Sequence, residues 1–122
     1  MSVFKERRRA PRELAGLHGM YLLARQRDLG WHDCYLVDAS EFGAGARFRG
    51  PRPESGDEVI IRLDGPVGAA SVLVPGTVRH VRSDLFGATR GGVEFRCLDG
   101  ESRDALVNLL RGEPVSGLPR RS

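Results

Sequence analysis

No run of about 18 apolar residues occurs in this chain, which excludes a helical membrane span. The charged start leads into no apolar h-region of the kind a signal peptide carries, so the sequence predicts a cytoplasmic protein. Cysteine is scarce. Cys34 and Cys97 are the only two, and in that compartment both are expected as reduced, buried thiols. No Gly-x-Ser-x-Gly elbow is present, and no paired carboxylates emerge. His18, His32 and His80 share no metal-ligand spacing, and His32-Asp33-Cys34 in a strand would send alternate side chains to opposite faces. These absences speak against an enzyme, a metal site and a cofactor. No internal repeat stands out.

What the chain does have is turn chemistry. It is a single small domain of 122 residues, with 16 Gly, 7 Pro and 40% apolar residues, enough for one modest core. Strands are predicted over Leu14–Arg25, Trp31–Val37, Gly45–Phe48, Glu58–Leu63, Ser71–Val81 and Gly91–Cys97. Trp31, Tyr35 and Phe48 are read as core rather than as a stacking platform. Pro75 implies an edge position or a bulge where it interrupts its strand. One helix follows, N-capped by Ser102, with Ala105, Leu106, Leu109 and Leu110 as its apolar stripe. Six strands with no helix between them predict a mainly β fold, an antiparallel barrel on which that helix packs. The expected divisions are a flexible lead-in (1–12), the barrel with its helix (13–112) and a frayed tail (113–122).

Charge is concentrated in one place. Lys5-Glu6-Arg7-Arg8-Arg9-Ala10-Pro11-Arg12 carries +4 while the whole chain carries +3, so everything else sums to −1. Surplus charge gathered in one segment points at an anion, and four of its five cations are Arg, whose fork of donors suits phosphate and guanine edges. The plainer readings are a solvated tail or an electrostatic arm for nucleic acid.

The second informative segment is Asp38-x-Ser40-x-x-Gly43, directly after a strand. Asp38 can accept from backbone amides in an Asx-turn, or from the N–H groups of a guanine edge. Ser40 can donate and accept. Gly43 either permits a positive φ or lets another group approach the backbone. By itself, the hexapeptide reads first as a strand-to-strand turn that needs Asp, Ser and Gly for geometry alone.

Together the two segments resemble the motifs of the PilZ domain, the bacterial receptor module for cyclic di-GMP. Arg8 and Arg12 match its Arg-x-x-x-Arg run, with Arg7 in the preceding position. Asp38, Ser40 and Gly43 match its Asp/Asn-x-Ser-x-x-Gly motif. The Gly91-Gly92-Val93-Glu94-Phe95 stretch is similar to the family's closing strand, and a terminal helix follows in both. The resemblance spans about Glu6 to Arg111. It implies a PilZ-type barrel in which Arg8 and Arg12 clasp the ligand, Asp38 and Ser40 contact it from the barrel surface and Gly43 shapes the turn. It also implies a stacked pair of ligand molecules where Arg7 stands, and a downstream protein that receives the signal. Two rivals predict different behaviour. A small nucleic-acid-binding barrel with a basic arm would bind many oligonucleotides with a steep salt slope. A PilZ-like interaction module would bind no nucleotide.

Overall fold

From Glu58 to Leu63 the residues run Glu, Val, Ile, Ile, Arg, Leu, and a strand's period of two sends Val59, Ile61 and Leu63 to one face. All three are buried, as the sequence predicts. The same rule builds the rest of the fold. The computed structural model describes residues 13–64, 71–84, 87–96 and 99–111. Its elements are β1 (Glu13–Leu23), β2 (His32–Ala39), β3 (Gly43–Phe48), β4 (Glu58–Leu63), β5 (Val72–Ser83), β6 (Thr89–Phe95) and the helix α1 (Gly100–Leu110).

The strands close a barrel in the order β1-β2-β3-β6-β5-β4, with β4 returning to pair with β1. Every neighbouring pair is antiparallel. This is the predicted six-stranded barrel, and closure leaves no open sheet edge. Cys34 and Leu36 from β2, Ala44 and Phe48 from β3, and Val93 from β6 face its interior. α1 packs on β5 and adds Leu106 and Leu109 to the same core. No described helix is long and apolar enough to cross a membrane.

One polar group sits deep in that core. Tyr21 is fully buried, and its hydroxyl donates to the Pro51 carbonyl at 2.7 Å while accepting from the Gly50 N–H at 3.0 Å. Its ring meets Phe48 edge-on at 4.9 Å. Burial pushes its phenol up to about 12 and does the same to the free Cys34 thiol.

Several local expectations are corrected. β1 stops at Leu23, and Ala24–Leu29 forms a 3-10 segment that takes up the last two residues of the predicted strand. β5 runs unbroken through Pro75, which pairs with Ile60. The Pro75 carbonyl accepts from Arg96 N–H at 2.9 Å, just past the last residue of β6. An extended residue's N–H and C=O point the same way, so the missing donor falls where the β6 ladder is already ending. Gly76 is there for space, since a Cβ would meet Val93 Cγ1 at 2.7 Å. Tyr35 is not core: it lies on the outer face of β2, 42% exposed. Trp31 is half-buried with the Arg62 guanidinium over its ring, 5.6 Å away, whereas Phe48 is core as predicted. Asp99, not Ser102, is the N-cap, its carboxylate accepting from Ser102 N–H at 2.7 Å. Cys97, the lead-in (1–12) and the tail (113–122) lie outside the described residues.

Candidate functional site

Asp38 reaches the outer surface through an irregularity in β2. Leu36 and Ala39 are both buried although they are three positions apart, which a regular strand forbids. The β2–β3 register slips between Leu36 and Asp38, and that bulge absorbs the extra residue. Asp38 then lies opposite Gly45, whose N–H donates to Asp38 Oδ1 at 3.1 Å. A Cβ at position 45 would come within 3.2 and 3.3 Å of the two carboxylate oxygens. Asp38 is therefore a strand residue fixed over a glycine, not part of the turn that the sequence predicts.

Ser40 and Gly43 bracket the hairpin between β2 and β3, with Glu41 and Phe42 at its tip. Ser40 N–H donates to the Gly43 carbonyl at 2.8 Å, and Ser40 Oγ accepts from Phe42 N–H at 3.1 Å. Ser40 is buried, 7% exposed. Its oxygen serves the turn, and its hydroxyl hydrogen is the group it can offer outward. Gly43 is a buried strand residue opposite Glu94 and does not adopt positive φ, which removes the first of its two predicted roles. Phe42 is half exposed at the tip, and Glu41 lies 3.8 Å from Arg103 of α1, so the turn is tied to the helix by charge.

The strand order carries this surface onward. Gly45 lies opposite Gly92 of β6, and Gly92 opposite Arg79 of β5. Between Asp38 and Arg79 the outer face is thus bare backbone. One pleat further along, about 7 Å away, Arg47 lies opposite Arg90, and Arg90 opposite Arg82. Arg47 pairs with Asp84 at 2.9 Å, and Arg79 with Glu94 at 3.3 Å. A carboxylate beside an open backbone floor and a flank of guanidiniums can engage a ligand that is planar, rich in N–H donors and anionic.

Of the predicted site residues, Asp38, Ser40 and Gly43 stand together at one rim of the barrel. Arg7, Arg8 and Arg12 lie outside the described residues. The sequence does not single out Gly45, Gly92, Arg47, Arg79, Arg82 or Arg90. The Gly-Ala-Gly-Ala and Gly-Gly stretches were the visible signal, but the cross-strand pairing that joins them was not.

Comparison with known proteins agrees with this architecture. Among solved structures, the chain is similar to the Bacillus subtilis inhibitor of motility MotI/DgrA, with a TM-score of 0.62 at 14% identity. That likeness covers 82% of this chain and 47% of the other, so the chain spans about half of its length. No curated protein matches. The family model described as the PilZ domain matches residues 6–112, from the arginine segment to the end of the helix. With the barrel, the terminal helix and a match over most of its length, the chain belongs to the PilZ domain family.

Proposed function

We propose that this chain is a non-enzymatic cytoplasmic receptor for cyclic di-GMP that passes the signal to a partner protein. The observation that carries the reading is a register. Glu13 pairs with Ala39 and Leu14 with Asp38, so the arginine segment joins the barrel directly beside the Asp38–Ser40 rim. A clasp attached there has the shortest path to a ligand lying on that rim.

Cyclic di-GMP carries two phosphodiester anions and two guanines. Arg8 and Arg12 supply charge-assisted donors to the phosphates and to guanine O6 and N7. Asp38 accepts from the guanine N–H edge, and the Ser40 hydroxyl donates beside it. Arg7 holds a second ligand molecule stacked on the first, its guanidinium plane against a purine face. Closure of the clasp biases the Ser40–Gly43 turn, and the Glu41–Arg103 contact relays that bias to α1.

Titration of Arg8→Ala and Arg12→Ala with cyclic di-GMP tests the reading. Each substitution should weaken binding by about 1.5–3 kcal/mol with the thermal midpoint unchanged, because both residues precede the barrel. Normal binding, or loss of the fold, contradicts the assignment.

A further inference from the structure

The arginines on the outer face of β3, β6 and β5 are arranged against their own repulsion. Arg47 lies directly opposite Arg90, and Arg90 directly opposite Arg82. Like charges facing each other on neighbouring strands are destabilising. Arg47 is compensated by Asp84 and Arg79 by Glu94. The Arg82 and Arg90 side chains have no ion-pair or hydrogen-bond partner among the described residues, although Arg90 is half-buried.

The backbone is distorted to produce this arrangement. Positions 79 and 82, being three apart, would fall on opposite faces of a regular strand. The β5–β6 register slips between Arg79 and Arg82, and His80 within the slip has φ of 57°. A non-glycine residue in the left-handed region is strained, and such strain gathers at binding surfaces. The bulge lets Val81 pack against the core, so that Arg79 and Arg82 both stand over β6.

Gly92 completes the picture. A Cβ there would meet only the Arg79 carbonyl at 3.7 Å and the Ala44 carbonyl at 4.0 Å, which is ordinary contact. Its φ is not positive. The protein's own packing does not demand glycine at 92, whereas a ligand lying close to the backbone does.

We infer that the Arg47–Arg90–Arg82 row is a second anion-recognition strip, which takes a phosphodiester of the cyclic dinucleotide lying on the Gly45–Gly92 floor. Arg82 and Arg90 are its binding residues, and Arg47, held by Asp84, sets the row's edge. The inference rests on the cyclic di-GMP reading and extends that site across three strands, beyond the motif residues.

The test is calorimetric titration of cyclic di-GMP into the wild-type chain and the Arg82→Gln/Arg90→Gln double variant at low and high salt, with a thermal midpoint for each protein. The strip predicts that the double variant binds about tenfold more weakly or worse and with a shallower salt dependence. It also predicts an unchanged or raised midpoint, since facing like charges are removed. A double variant that binds like wild type at both salts overturns the strip and leaves the cyclic di-GMP reading standing. A lowered midpoint accompanying the loss overturns it too, because the arginines would then be structural. Absence of binding by wild type overturns the cyclic di-GMP reading, and the strip falls with it.

Discussion

The carboxylate of Asp38 and the backbone of Gly45 form one unit. The Gly45 N–H donates to Asp38 Oδ1 at 3.1 Å, and the missing Cβ at 45 leaves the space in which both carboxylate oxygens sit. Neither residue makes sense alone: the bulge before Asp38 aims it outward, and the glycine admits it.

Gly45→Ala tests that unit. The new methyl would come within 3.2 Å of the carboxylate, which must swing away at a small cost to the fold. Affinity for cyclic di-GMP should fall by about tenfold with a thermal midpoint shift of only a few degrees. Calorimetry and a melting curve on the same sample separate the two effects.

Tyr21→Phe removes a hydroxyl that serves both the Gly50 N–H and the Pro51 carbonyl. Two backbone groups lose their partner while the ring still fills the core. Urea unfolding should show a loss of about 1–3 kcal/mol, with ligand affinity retained.

Alkaline pH should destabilise the barrel in a defined window. Burial raises Cys34 from its ordinary 9.0 to about 12 and Tyr21 from 10.0 to about 12. Above their ordinary values the unfolded chain gives up these protons and the folded chain keeps them. Stability from both groups is therefore full below about pH 9 and is lost as pH rises from there toward 12. Urea midpoints measured across that range should fall steadily; a flat profile to pH 11 contradicts the burial of both groups. Peptide mapping after alkylation should find Cys34 protected in the folded chain and modified only in urea.

At the helix, Asp99→Ala should lower the thermal midpoint more than Ser102→Ala, because the Asp99 carboxylate caps α1. The hydrogen bond from Ser102 N–H holds that carboxyl below its ordinary value. Its contribution is present above that ordinary value and is lost as pH falls through the lowered one. Circular dichroism of the two variants at neutral pH reads the difference.

Where one face of a strand is clearly apolar, as in Val59, Ile61 and Leu63, the sequence determines which side is inside. β2 is different, since both of its faces are mixed. Tyr35 and Val37 look at least as apolar as Cys34 and Leu36, yet Cys34 lies opposite the core residue Phe48 and Leu36 opposite the buried Ala46, and that pairing turns the second pair inward. Bulges leave no mark on a hydrophobic pattern, because one extra residue changes pairing and not composition. For that reason Asp38 was legible as a candidate while its partner Gly45 was not. The Arg47–Arg90–Arg82 row depends on two strand pairings and a slip at His80, so no local stretch of sequence contains it. Ser102 and Asp99 are both competent caps, and only the helix's actual start chooses between them.

Calorimetric titration of the wild-type chain with cyclic di-GMP, beside GTP and a mixed oligonucleotide, tests the central claim most directly. The receptor reading predicts saturable heat with the cyclic dinucleotide alone, with a stoichiometry of two ligands per chain from the Arg7 position. Salt-sensitive binding of the oligonucleotide with no response to the cyclic dinucleotide, or silence from all three, would contradict it.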